Sequence, residues 1–192
     1  MRIAVVGAGA AGLLFSLLVK RRFPKWDVQT FEQNPEGATY GFGVVFSDGA
    51  FAFLERDEPE LSRFLEAAME RWPMQRIVHR GERVDVDGNG FSSVGRLALQ
   101  EMLQGLCRRA GVSIRYGRAI GSLDEIADAD LVVGADGSNS LVRNALAPEF
   151  APSVEVLSNR FAWYGTAQPF DCLTLTFRES EQIGRASCRE RV

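Results

Sequence analysis

The stretch Val5–Val19, VVGAGAAGLLFSLLV, decides the fold. By hydropathy alone, Ile3–Val19 is an uncharged apolar run behind Arg2, the pattern of a secretory signal or a short membrane span. Gly7, Gly9 and Gly12 argue against both. The residues before them, Arg2–Val6, are short and β-branched like a buried strand. Those after them run as a periodic apolar stretch into Lys20-Arg21-Arg22, the cationic last turn of a helix. In a strand–turn–helix the GxGxxG spacing has a physical purpose. One glycine makes the turn, one lets backbone approach a pyrophosphate, and one lets the helix pack closely on the strand. The first helical N–H groups, from Ala10 and Ala11 onward, then face the phosphates.

A second strand, DVQTFE, ends at Glu32, twenty residues beyond Gly12 and followed by Gln33. An acid there can accept hydrogen bonds from the ribose hydroxyls of an adenosine. The motif predicts a dinucleotide fold and does not choose between NAD and FAD.

Composition narrows the function classes. The 192 residues are 46% hydrophobic and 24% charged, with a formal net charge of −3 and scattered basic residues. That distribution offers no footprint for nucleic acid or an anionic membrane surface, so small-molecule chemistry is favoured. Cys107, Cys172 and Cys188 are widely spaced, which suggests neither a disulfide frame nor a zinc site, and no metal is expected; reduced thiols point to a cytoplasmic protein. The single histidine, His79, reads as a strand-surface residue rather than a base.

Further along, Gly37–Ala50 (GATYGFGVVFSDGA) is a glycine-rich loop with a short apolar run, and helices are expected from Asp48 and from Glu58, ending before Trp72-Pro73. Met74–Gly88 reads as a hairpin turning at Arg80 and Gly81, foreign to a pure alternating β/α pattern. From Arg96, RLALQEMLQGLCRRAG has helical spacing, with Leu97, Met102, Leu103 and Leu106 on one face and Gly111 as the C-cap. VSIRYG gives a strand. Ala129–Leu146, ADLVVGADGSNSLVRNAL, then reads as a buried strand, Gly134, the acid Asp136, Gly137, and a helix from about Ser138-Asn139. Asp136 can serve a cofactor there, or simply cap the helix.

With these motifs in place the chain resembles the FAD-dependent aromatic hydroxylases, the single-component flavoprotein monooxygenases. The likeness rests on GAGAAG with Glu32, on RLALQEML, and on GADGSNSLVR, the most specific of the three. It implies an α/β fold: a Rossmann-like FAD-binding domain of the glutathione reductase and aromatic hydroxylase type, with the beginning of an antiparallel substrate-binding sheet. It also implies that Gly7, Gly9, Ala10, Ala11, Gly12, Glu32 and Gln33 hold the ADP half of FAD. Arg96 and Gln100 would reach the flavin nucleotide, and Gly134, Asp136 and Gly137 the pyrophosphate and ribityl region, with Arg143 supporting that turn. NAD(P)H would be the co-substrate and O₂ the oxidant, acting on an activated aromatic ring through a C4a-hydroperoxyflavin; no residue is assigned as catalytic acid or base.

YGFGVVFSDGA, ERWPMQRIVHRGERVDVDGNGFS and SNRFAWYGTAQPFDCLTLTF further resemble the aryl-CoA hydroxylase group that acts on salicylyl-CoA and 2-aminobenzoyl-CoA. Some members of that group carry a following FMN-binding reductase domain. Other FAD enzymes of halogenase or reductase type, and a non-catalytic nucleotide-binding module, are the alternatives.

The expected organisation is an FAD-binding domain over 1–158 with the inserted hairpin at about 74–88. A truncated start of the substrate sheet follows over 159–182, with antiparallel strands at Arg160–Ala167 and Cys172–Arg178. Ile183–Val192, IGRASCRERV, has no apolar period, and back-translates as ATC GGA AGA GCG TCG TGT AGG GAA AGA GTG, the run of a common sequencing adapter. The expectation is therefore that 183–192 is not native and that the chain is a fragment, inactive alone, whose last strand leaves an unpaired edge prone to aggregation.

Overall fold

The computed structural model describes residues 1–158, 167, 169–178 and the backbone of Arg185–Arg189. In chain order the elements are β1 (Arg2–Val6), α1 (Ala10–Arg22), β2 (Asp27–Phe31), β3 (Gly43–Ser47), α2 (Asp48–Asp57), α3 (Pro59–Ala68), β4 (Glu70–His79), β5 (Glu82–Gly95), α4 (Arg96–Ala110), β6 (Ser113–Arg115), a 3-10 turn (Leu123–Ile126), β7 (Leu131–Gly134), α5 (Leu141–Ala145), α6 (Ala147–Phe150), β8 (Leu173–Arg178) and β9 (Arg185–Arg189). The apolar run that resembles a signal segment is thus divided between β1 and α1. Among the described residues no helix is long and apolar enough to cross a membrane.

Two compact units result, Met1–Ala38 with Leu99–Glu155, and Thr39–Ala98 with Val156–Val192. The first holds a parallel sheet in the order β6-β2-β1-β7. Parallel strands are covered on both faces, and β1 reads accordingly as a continuous apolar run. Ile3 and Val5 are fully buried on one side, while Ala4 and Val6 face the other with Phe31, Ile120, Ile126 and Val142. The register sets Val6 beside Phe31 of β2 and beside Gly134 of β7. The three strands therefore end level, and the segments after them begin at one edge.

Two local expectations for this unit change. β7 lies at the sheet edge and is only partly buried, with Leu131 exposed, because pairing on one side leaves its outer flank open. On α4, Leu99, Leu103, Leu106 and Cys107 are buried but Leu97 is exposed. At about 100° per residue, Leu97 lies across the helix from Leu106. Gly111 ends the helix as expected, its N–H donating to the Arg108 carbonyl. Cys107 is a free, buried thiol that donates to the Leu13 carbonyl, and burial pushes it up to about 11.

The second unit is built on the mixed sheet β3-β5-β4-β8-β9. Its hairpin β4–β5 turns at Arg80 and Gly81, both at positive φ, the geometry of a two-residue turn matched to strand twist. The hairpin is longer than 74–88 and runs through Trp72-Pro73, where the register shifts between Trp72 and Met74. Proline has no N–H to give the ladder, so the irregularity accommodates it within the strand. The expected strand at 172–178 is β8, which lies parallel to β4. The strand expected at 160–167 falls, Ala167 apart, outside the described residues. The outer side of β8 is not bare: Arg185–Arg189, inside the stretch read as adapter-derived, pairs antiparallel with it. Strand pairing uses backbone groups common to every residue but proline, so it needs no apolar period.

One face of this sheet carries an ion network. Arg76 Nε donates to Asp85 Oδ1 at 2.9 Å and its Nη1 to Asp171 Oδ1 at 3.0 Å, while Arg83 Nη2 donates to Asp85 Oδ2 at 2.7 Å. The hydrogen bonds from Arg83 and then Arg76 hold the Asp85 carboxyl well below the usual carboxylate range. Folded protein therefore binds this proton less tightly than the unfolded chain does. The contribution of Asp85 is complete above the ordinary aspartate pKa and is lost as pH falls below it. Melting temperature measured between neutral and acid pH should fall less steeply for Asp85→Asn than for wild type; equal slopes would refute the assignment.

Candidate functional site

The level ends of β1, β2 and β7 bring three turns together. Gly7 follows β1 at φ +104°, donates its N–H to the Phe31 carbonyl at 2.8 Å, and lies so near the third turn that a Cβ would come within 2.3 Å of the Ala135 carbonyl oxygen. Ala135 N–H in turn donates to the Val6 carbonyl at 2.8 Å. Gly12 seats α1 on the same turn, where a Cβ would be 2.0 Å from the Gly7 carbonyl oxygen. Both positions must be glycine for reasons internal to the chain.

Gly9 differs from them. Its φ of −68° suits any residue, and a Cβ built on it meets nothing within 4 Å. It is the N-cap of α1, with no side-chain cap and no acid in the first turn. Ala10 and Ala11 are exposed, and the first bond of the helix runs from Leu13 N–H to the Gly9 carbonyl. The earlier N–H groups point past Gly9 with the positive end of the helix dipole behind them, an arrangement suited to an anion that approaches the backbone closely.

Glu32 continues from β2 and is half-buried. Its Oε2 accepts from Ala8 N–H in the glycine turn at 2.9 Å, and its Oε1 accepts from both the backbone N–H and the side-chain Nδ2 of Asn34, at 2.9 and 2.8 Å. The acid is thus fixed against the glycine turn. Gln33, expected beside it, is exposed. The sequence reading passed over Asn34, although an Asn-Pro pair after a strand-ending acid is a turn signal.

Asp136 caps a helix, one of the two alternatives left by the sequence, and does so with one oxygen only. Its Oδ2 accepts from Leu141 N–H at 2.6 Å and more weakly from Val142 N–H at 3.4 Å, capping α5. Its Oδ1 is buried without a hydrogen-bond partner among the described residues. A buried carboxylate oxygen without a donor is costly, so Oδ1 is suited to a donor that a bound group would bring. The helix starts at Leu141 rather than at Ser138-Asn139, because Asp136 and Ser140 take its first N–H groups, Ser140 Oγ accepting from Arg143 N–H at 3.0 Å. Arg143 supports the turn as expected, donating to the Ser138 carbonyl at 2.6 Å. Gly134 serves close packing of β7 on α5: a Cβ there would sit 2.8 Å from Val142 Cβ. Gly137 is exposed at positive φ in the same turn.

Arg96 and Gln100 open α4. Gln100 is partly buried and belongs to the first unit, whereas Arg96 is exposed and belongs to the second, where it runs beside Gly41. His79 is exposed at the end of β4, opposite Glu82. Among the described residues no group of three or more His, Cys, Asp or Glu is arranged to hold a metal ion.

An open cradle at Gly9, uncapped helical N–H groups, an acid at the end of β2 and an unpartnered buried oxygen on Asp136 fit the phosphates and hydroxyls of a dinucleotide.

No protein-family model matches the chain. It is 40% identical over 179 residues to salicyloyl-CoA 5-hydroxylase from a Streptomyces species, covering 93% of this chain and 35% of that protein. It is 32% identical over 188 residues to protodeoxyviolaceinate monooxygenase from Chromobacterium violaceum, covering 93% and 48%. The chain thus spans less than half the length of these two relatives. Among solved structures, the tetrameric form of 2-methyl-3-hydroxypyridine-5-carboxylic acid oxygenase superposes with a TM-score of 0.64 at 24% identity, over 76% of this chain and 42% of that one. P. aeruginosa PqsL superposes with a TM-score of 0.66 at 15% identity, over 92% and 54%. These likenesses establish the fold.

Proposed function

We propose, for a chain homologous to salicyloyl-CoA 5-hydroxylase and related aromatic monooxygenases over nearly its whole length, that it is the nucleotide-binding part of an FAD-dependent, NAD(P)H-using enzyme that hydroxylates an activated aromatic ring. The observation that carries this reading is the convergence of the Gly9 cradle, Glu32 and the unpartnered Oδ1 of Asp136 at one sheet edge. When bound, FAD supplies the redox chemistry by which O₂ is activated for transfer to the ring.

The chain's own residues bind and orient. Gly9 admits the pyrophosphate to the N–H groups of Ala10, Ala11 and Gly12, and Glu32 accepts from the adenosine ribose. Asp136 Oδ1 accepts from a hydroxyl of the cofactor, and Gln100 serves the flavin nucleotide. The ring substrate carries an electron-donating amino or hydroxyl group, since electrophilic hydroxylation needs an electron-rich ring. The name of the Streptomyces relative favours an aryl-CoA thioester.

Titration of the chain with FAD, followed by flavin fluorescence, should reach one equivalent bound. Preference for NAD over FAD would overturn the flavoenzyme reading.

A further inference from the structure

Glu32 does not meet the nucleotide site as a freely rotating side chain. Its Oε2 is held by one donor, Ala8 N–H, and its Oε1 by two donors from Asn34, the backbone N–H at 2.9 Å and Nδ2 at 2.8 Å. Asn34 is itself anchored from the other side: its carbonyl accepts from Gly117 N–H at 3.0 Å, and the neighbouring Glu32 carbonyl accepts from Arg118 N–H at 2.8 Å. The backbone of the segment after β6 therefore fixes Asn34, and the amide of Asn34 fixes the carboxylate. An ionised carboxylate offers about four acceptor positions. Among the described residues three are occupied, and the one that remains belongs to Oε2, the oxygen turned to the glycine turn.

We propose that Asn34 is a positioning residue for ribose recognition: its side-chain amide locks the plane of the Glu32 carboxylate, so that the remaining acceptor position on Oε2 is presented to one ribose hydroxyl of the adenosine. The inference rests on the dinucleotide reading of this site. Asn34 itself need not touch the ligand. Without Nδ2 each carboxylate oxygen keeps one backbone donor, and the group can turn about its last torsion, which spreads the acceptor over several directions and raises the ordering cost of binding.

The test is a double-mutant cycle on the full 192-residue chain, with FAD affinity read by flavin fluorescence and with ADP and 2′-deoxy-ADP as competitors. Asn34→Ala should weaken FAD about tenfold, the scale of one hydrogen bond to a charged group. It should also narrow the preference for ADP over 2′-deoxy-ADP. In the Glu32→Ala background the same substitution should cost nothing further, because Asn34 acts through Glu32. Asn34→Asp keeps the shape and turn chemistry but replaces a donor by an acceptor, and should bind FAD no better than Asn34→Ala.

FAD affinity unchanged in both Asn34 variants, or an equal loss in the presence and absence of Glu32, overturns the role of Asn34 while leaving the site reading intact. Wild-type chain that binds neither FAD nor ADP overturns the reading beneath it.

Discussion

Gly12→Ala is expected to leave little folded protein, whereas Gly9→Ala is expected to fold normally and fail to hold FAD. The two glycines stand three residues apart in one motif, and the difference lies in what a methyl group would meet. At Gly12 it would be 2.0 Å from the Gly7 carbonyl oxygen, and at Gly7 it would be 2.3 Å from the Ala135 carbonyl oxygen. Overpacking that side chains can absorb costs about 1–3 kcal/mol. Here the obstacle is backbone on both sides, so α1 would have to lift from the sheet and the cost should exceed that range, a large part of a domain's total stability. At Gly9 the methyl meets open space, and the change should alter stability by less than about 1 kcal/mol, the scale of an N-cap substitution. That open space is where a pyrophosphate would lie against backbone, so FAD affinity should fall at least about a hundredfold, equivalent to roughly 2.7 kcal/mol. Denaturant unfolding and fluorescence titration separate the two outcomes. A Gly9→Ala variant that binds FAD as wild type does would remove the central support for the site.

Glu32→Ala should lower FAD affinity about a hundredfold, since a hydrogen bond to a charged group contributes roughly 1.5–3 kcal/mol and the acid also fixes Ala8 of the glycine turn. The diagnostic result is a change in selectivity. Wild-type chain should prefer ADP to 2′-deoxy-ADP as a competitor of FAD, and Glu32→Ala should treat the two alike. A variant that weakens both while keeping the preference would show Glu32 to be a brace of the turn and not a ribose acceptor. The substitution also strips the Ala8 N–H and the Asn34 amide of their acceptor, so Glu32→Gln, which keeps the shape and one carbonyl oxygen, should retain more of the fold's stability than of the affinity.

Much of the candidate site's local structure was legible residue by residue because its features are local. A β-branched pentapeptide, three glycines at fixed spacing and a basic last turn specify strand, turn and helix without reference to the rest of the chain. The turn at Arg80-Gly81 and the cap at Gly111 were readable for the same reason. The misread features are those decided by what lies opposite. Leu97 and Leu106 are both leucines in one helix, but only one faces a neighbour. Trp72-Pro73 looks like a break, yet the irregular pairing with β5 absorbs the missing donor. Arg185–Arg189 has no strand pattern and is a strand because β8 offers an edge.

The sequence by itself determined that the chain begins with a dinucleotide-type strand–turn–helix, that an acid ends the second strand, and that a second acid-bearing turn follows a later strand. Tertiary structure alone decided how these parts divide the work. Parallel pairing in one register levels the ends of β1, β2 and β7, so that the turn at Ala135 fills the space beside Gly7 while Gly9 stays open, and Asp136 caps a helix with one oxygen while the other is buried without a donor among the described residues. The physical reason is that spacing and propensity act between near neighbours in sequence, whereas the space left beside a Cα can be set by a distant segment, as Ala135 fills the space beside Gly7 from 128 residues away.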